Sequence, residues 1–357
     1  MKLGIVGLPN VGKTTLFNAL TGSKAETGAY TVAGAKPNVG VAKVPDERLD
    51  WLAEYYHPKK YSPATIEFVD IPGVASGGKG REAFQAIRQV DALVEVVRCF
   101  DDDAIFLEPA DAVRDASDFE LELILADIEI VERRLDRARK NAKSGDKKYK
   151  RECEMCEALL AHLEEEKPAR DFDFTEEDQD ILTDGGLLTV KPVIYAANMD
   201  ENGMAGYADN VGFKALEAHA RKQGAAVLPV AAKFEEDIAG LDPEEAEMFM
   251  ADLGLSETGL DRLIKTSYDL LGYISFLTAG EDDVHAWTIV KGTKAPKAAG
   301  KIHTDIERGF IRAEIVAFED LKACGSMAAA KEKGLFRLEG KDYVMADGDV
   351  TMFRFNI

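Results

Sequence analysis

Two glycines, a lysine and a threonine stand close together near the amino end, in the run Gly7-Leu8-Pro9-Asn10-Val11-Gly12-Lys13-Thr14. Residues of these types at this spacing bind phosphate. Gly7 and Gly12 let the backbone curl with no Cβ in the way, so N–H groups such as those of Asn10, Val11 and Gly12 can converge on phosphate oxygens at a helix N-terminus. Lys13 adds a positive charge beside the β and γ phosphates of a nucleoside triphosphate. Thr14 offers a hydroxyl to Mg2+, and Thr15 extends the same first helical turn.

A second segment, Asp70-Ile71-Pro72-Gly73, closes the apolar run 65–69. From there Asp70 can hold a Mg2+-bound water and Gly73 can offer its N–H to the γ-phosphate, an arm ordered by triphosphate and released when phosphate leaves. A third segment, Asn198-Met199-Asp200-Glu201, closes the run 193–197. Asn198 can bond a purine N7, and Met199 can pack on the base without charge. The carboxylate that reads guanine in guanine-specific switches is displaced here onto the longer Glu201. ATP is therefore the expected nucleotide and GTP the poorer one, because losing a paired hydrogen bond at a site built for it shifts preference by about 10⁴-fold. The competing reading makes Asn198 a turn cap and leaves the base to other residues.

The elements that position these segments are legible from periodicity. Leu3, Ile5 and Val6 form a strand running into the phosphate loop, and Leu16, Phe17, Ala19 and Leu20 continue at helical spacing until Gly22. Apolar runs at 65–69, 92–97, 193–197 and 226–230 alternate with helical stretches at 47–56, 81–90, 213–222 and 260–273. This predicts an α/β fold, a doubly wound, mostly parallel sheet with the nucleotide at the carboxyl ends of its strands. From about 274 the pattern changes to short strands at 287–290, 310–317, 342–346 and 351–355, with a turn at Asp347-Gly348-Asp349, which reads as a separate small mixed sheet. The expected domains are 1–117 with 187–273 for nucleotide, 118–186 for an insertion, and 274–357 for the terminal sheet.

Within the insertion, Leu121, Ile124, Ile128, Val131, Leu135, Ala138 and Ala142 recur at steps of three and four, and Tyr149, Cys153, Cys156, Leu160 and Leu163 carry the seam back. This predicts an antiparallel helical hairpin whose first arm, 118–143, reaches about 39 Å. The register places Cys153 and Cys156 on the seam, so packing is preferred to a metal or redox role. Near the tip, Arg133, Arg134, Arg137, Arg139, Lys140, Lys143, Lys147, Lys148, Lys150 and Arg151 face only Asp136 and Asp146. Such a run reads either as a solvated helix face or as a contact for RNA phosphates, with Arg137, Arg139, Lys140, Lys147 and Lys148 the candidates. A weaker second candidate is the loop carrying Lys291, Lys294, Lys297 and Lys301, represented by Lys294.

The chain has 357 residues, 46% of them hydrophobic, enough for two or three domains. Its net charge of -21 repels polyanions, so any RNA partner needs a local basic surface. Neither a leader nor a bilayer-length apolar span is present, which predicts a cytoplasmic protein without membrane contact. Four cysteines, Cys99, Cys153, Cys156 and Cys324, are too unevenly placed for a disulfide framework.

Residues 7–15, Asp70-Ile71-Pro72-Gly73, Val97-Arg98-Cys99-Phe100 and Asn198-Met199-Asp200-Glu201 together resemble the Obg-like ATPases, the YchF group of the translation-factor class of P-loop NTPases. Ala286-Trp287-Thr288, Gly292-Thr293-Lys294-Ala295-Pro296, His303-Thr304-Asp305 and Phe353-Arg354-Phe355 are similar to that family's C-terminal TGS-type β-grasp domain. The resemblance spans essentially the whole chain. It implies an ATP-driven switch with Mg2+ as cofactor and the ribosome as partner, reached through the hairpin tip and the TGS domain. Gly34 stands where the family usually carries a threonine that closes over Mg2+, so Thr31 or a water is expected there. The loop 75–80 is short, and Leu107 replaces a frequent histidine. Val74 follows Gly73 where many GTPases place a glutamine, and valine cannot orient water. Turnover is therefore expected to be slow, with Lys13 as the catalytic charge beside Mg2+ and backbone N–H groups, completed by a potassium ion or the partner. The alternatives are a nucleotide-stabilised ribosome- or RNA-binding module with negligible hydrolysis, or a GTP-preferring switch. A small-molecule phosphotransferase would share the phosphate loop, but no arginine-bearing lid is evident.

Overall fold

The computed structural model describes residues 2–25, 37–73, 80–102, 106, 108–143, 145–178, 186–252, 255 and 257–356. Gly34, Thr31, Val74, the loop 75–79 and Leu107 lie outside them. In chain order come β1 (Lys2–Val6), α1 (Lys13–Thr21), β2 (Asn38–Lys43), α2 (Glu47–Tyr56), β3 (Lys60–Ser62), β4 (Thr65–Asp70), α3 (Arg81–Arg88) and β5 (Ala92–Arg98). Then follow α4 (Ala112–Ala142), α5 (Lys147–Glu164), β6 (Val193–Asn198), β7 (Ala226–Val230), β8 (Tyr273–Ala279), β9 (Asp283–Val290), β10 (Phe310–Ala317), β11 (Arg337–Glu339) and β12 (Asp349–Phe355). Two compact units emerge, 1–41 with 67–263, and 42–66 with 264–357.

In the first unit, β1 pairs in parallel with β4 on one side and β5 on the other, and β5 continues in parallel to β6 and β7. The sheet order is β2-β4-β1-β5-β6-β7, the doubly wound arrangement the apolar runs predict. Every residue of β5 and β6 is buried, as parallel strands covered on both faces require. Successive connections part to opposite sides of β1, so the carboxyl end of β1 is the switch point at which a crevice opens.

The inserted hairpin is present, and its first arm begins at Ala112 instead of 118. Asp111 caps α4 by accepting the Arg114 N–H at 3.0 Å, and Ala112, Ala116, Phe119 and Leu123 belong to the nucleotide-domain core with Cys99 and Phe213. Farther along the same helix, Val131 and Leu135 pack with Met155, Cys156, Leu159 and Leu163 of α5. Cys156 is buried on this seam and Cys153 half-buried. Among the described residues no cluster of three or more Asp, Glu, His or Cys side chains is arranged to hold a metal ion. No described helix is long and apolar enough to cross a membrane.

The second unit is a mixed sheet of order β11-β10-β12-β8-β9-β3. Phe276, Ile289, Ile315 and Phe353 bury one face of it against Ala295, Ala298 and Ala299 of the helix Ala295–Ile302, as in a β-grasp. Two sequence readings need correction here. The segment 47–56, expected to flank the nucleotide sheet, folds as α2 in the second unit. Its Trp51 ring meets Phe318 edge-on at 5.6 Å, and Arg48 pairs with Asp347 at 2.7 Å. The segment 342–346 is not a strand: it makes only a bridge from Val344 to Lys294, and Asp347 turns back to accept the Ser275 N–H at 2.8 Å.

Candidate nucleotide site

The loop between β1 and α1 takes left-handed backbone at Gly7 (φ 133°), Asn10 (φ 65°) and Gly12 (φ 100°). A Cβ at Gly7 would lie 2.6 Å from the Val96 carbonyl, and one at Gly12 would lie 2.4 Å from Asn198 Nδ2. These are therefore positions for glycine, and asparagine is among the few other residues that tolerate such a turn. Gly12 caps α1 without a side-chain acceptor, so the N–H groups of the first turn, Lys13 to Thr15, point from the loop with no cap to receive them. Val11, within the loop, is buried.

Lys13 is 7% exposed and its ammonium donates to the Leu8 carbonyl at 2.6 Å. Burial pushes its pKa down to about 8, against the pull of nearby Asp70. The register Ile5↔Asp70 sets the end of β4 beside the start of the loop. There the Thr14 hydroxyl donates to Asp70 Oδ2 at 2.9 Å. Burial raises the Asp70 pKa, opposed by Thr14, Asn38 and Lys13. Gly73 comes so near that a Cβ on it would stand 3.0 Å from both Lys13 Nζ and Pro9 N. Thus two segments some sixty residues apart converge on the loop, as their spacing predicts.

At the end of β6, Asn198 Nδ2 donates to the Val11 carbonyl at 2.9 Å and Oδ1 accepts the Ala232 N–H at 3.0 Å. One of its two amide N–H groups is thus engaged by the loop, tying that loop to the end of β6. Met199 departs from expectation: it is 3% exposed and packs inward with Cys99, Tyr207 and Phe213. Asp200 accepts the Gly203 N–H at 2.6 Å as a helix cap, while Glu201 is exposed on the first turn. Sequence reading missed the turn after β7. The register Asn198↔Val230 sets Ala231-Ala232-Lys233 beside Asn198, and small residues followed by lysine at a strand end were the available signal. It also missed Asn38, which donates to Asp70 Oδ2 at 3.4 Å.

The hairpin cations divide into two groups. Arg139 pairs with Glu157 at 2.8 Å and Arg134 with Glu152 at 2.8 Å, both across the two arms. Arg133, Arg137 and Lys140 instead line one surface depression on α4 with Ile130 and Asp136. Lys147 and Lys148 are exposed at the start of α5. In the second unit Lys294 pairs with Asp342 at 2.8 Å.

Residues 2–134 match a family model described as a 50S ribosome-binding GTPase. Residues 273–356 match the C-terminal domain of YchF-type GTPases, described as a protein of unknown function. The Ribosome-binding ATPase YchF of Bacillus subtilis is 50% identical over 99% of each chain. Obg-like ATPase 1 of Oryza sativa is 40% identical over 100% of this chain and 92% of its own. The solved Schizosaccharomyces pombe YchF GTPase superposes with a TM-score of 0.85 at 36% identity, covering 99% of this chain and 97% of that one. With loop, hairpin and terminal sheet all aligned over its full length, the chain belongs to the YchF group of Obg-like ATPases.

Proposed function

We propose that this chain binds and slowly hydrolyses ATP, and that the bound state governs its association with the ribosome in the cytoplasm. The observation that carries the reading is the convergence of Lys13, Thr14, Asp70 and Gly73 on one loop. Lys13, already desolvated, exchanges a neutral carbonyl partner for phosphate oxygens. The Thr14 hydroxyl and Asp70 carboxylate form a hard oxygen donor set that fits Mg2+, which when bound neutralises charge on the β and γ phosphates. Gly73 stands where a backbone N–H senses the γ-phosphate. The curated relatives' names, ribosome-binding ATPase among them, support the partner and the reaction.

For the base, Asp200 is occupied as a cap and Glu201 is exposed, which supports ATP over GTP. Calorimetry with Mg2+ should show ATP binding at least about tenfold tighter than GTP. Equal affinities would remove the base reading and leave the phosphate site standing.

For the ribosome, the cations with no ion pair among the described residues matter more than the paired ones. Reversing Arg137, Lys140, Lys147 and Lys148 to glutamate should weaken co-sedimentation with ribosomes and flatten the log affinity against log salt slope by about 3. Arg139→Glu alone should do less, because Glu157 already neutralises Arg139. An unchanged slope in the fourfold variant would take the hairpin out of the account.

A further inference from the structure

Asn38 opens β2 and is exposed at the sheet edge, yet its Nδ2 donates to Asp70 Oδ2 at 3.4 Å. The same oxygen receives the Thr14 hydroxyl at 2.9 Å. Asp70 itself is 7% exposed, at the end of β4. One carboxylate is therefore held by side chains from two other elements, α1 and β2. What reaches the site from β2 is an amide N–H, a group that donates to a carboxylate and does not ligate a cation.

We infer that Asn38 is a positioning residue for the divalent cation, fixing the Asp70 carboxylate so that Mg2+ is held tightly, without itself touching nucleotide or metal. This rests on the reading of Thr14 and Asp70 as the Mg2+ site. A carboxylate serving a metal loses affinity when it can rotate, because each wasted orientation is a competing state of the free protein. Outer partners of this kind change metal affinity by about 10- to 100-fold, and a neutral donor at 3.4 Å belongs at the lower end of that range. The effect is confined to the metal, since Asn38 bonds the carboxylate and not the phosphate loop.

The test is a Mg2+ titration of the full chain holding a fluorescent ATP analogue, paired with the analogue's affinity in excess chelator. Asn38→Ala should raise the Mg2+ concentration at half-saturation by about tenfold and leave the chelator affinity unchanged. Asn38→Gln, which keeps the amide on a longer stem, should recover part of the loss. Because Asn38 is exposed, its truncation opens no cavity. An Asn38→Ala curve superimposed on wild type would overturn the inference, as would an equal loss with and without Mg2+. A wild-type protein indifferent to Mg2+ would instead overturn the underlying site.

Discussion

Lys13→Ala should lower ATP affinity by about 100-fold and slow phosphate release further, while leaving the melting temperature unchanged or raised. The reasons lie in one buried ammonium. At 7% exposure, with a carbonyl at 2.6 Å as its hydrogen-bond partner, Lys13 is a cation held in a place that disfavours its charge. Burial brings its pKa down to about 8, so the folded protein carries a charge its surroundings disfavour, which a triphosphate bound as proposed would relieve. A charge-assisted hydrogen bond in such surroundings is worth about 2–5 kcal/mol, and the lower half of that range already gives about 100-fold. Removing the side chain deletes that attraction and also leaves buried Asp70 facing phosphate without a compensating cation. A residue kept for packing would behave oppositely, costing stability and sparing the ligand. Lys13→Arg should not rescue, since a planar guanidinium cannot occupy the point where an ammonium sits between the Leu8 carbonyl and Gly73. Calorimetry and thermal melting on the same preparations decide it. Retention of wild-type ATP affinity would sink the whole site.

Why some of this was legible in the sequence and some was not follows from where each partner lies. The phosphate loop announces itself because all its requirements are local. Gly7 and Gly12 are demanded by backbone geometry within six residues, and Lys13 and Thr14 follow directly. The hairpin is legible for the same reason, since steps of three and four along one helix state which face is buried. Asp70 and Gly73 were readable because a strand end fixes where the next residues emerge. Partner choice over distance was not. The apolar face of α2, with Leu49 and Leu52 wholly buried, fits either sheet, and only the folded chain shows that it belongs with Phe318 and Asp347. The neighbours of Met199 in sequence point it at a ligand, yet a methionine side chain is as well suited to the core with Phe213. The two amide bonds of Asn198 join residues 187 and 34 positions away, beyond any local pattern.

Asp127→Ala should cost about 3 kcal/mol and release the root of the hairpin ahead of the nucleotide sheet. Asp127 is 0% exposed midway along α4, among leucines and alanines that gave no hint of its task. Its carboxylate accepts the Leu188 N–H at 2.7 Å, the Thr189 N–H at 2.9 Å and the Thr189 hydroxyl at 2.7 Å. Thr189 Oγ1 in turn accepts the Ala169 N–H at 2.8 Å, so one side chain gathers the outgoing helix, the segment after α5 and the approach to β6. Close by, Glu120 of α4 bonds Arg170 and Gln223, and Gln223 receives the Tyr195 hydroxyl at 2.7 Å, which extends the polar seam to the sheet. Truncation leaves three buried donors without acceptor, each worth about 1–3 kcal/mol. Offsetting that, burial raises the Asp127 pKa despite these bonds, so losing the carboxylate also removes a desolvation cost. Asp127→Asn should not restore the clasp, because its NH2 must face one of the same N–H donors. The loss should be local, since Asp127 touches neither the phosphate loop nor β1. Denaturant unfolding would show the lowered midpoint. Hydrogen exchange should speed up first at 169–172 and 186–191, with the β1 amides and ATP affinity keeping wild-type values. Exchange rising equally through β1 would mean that the clasp serves the whole unit and that the hairpin has no separate root to release.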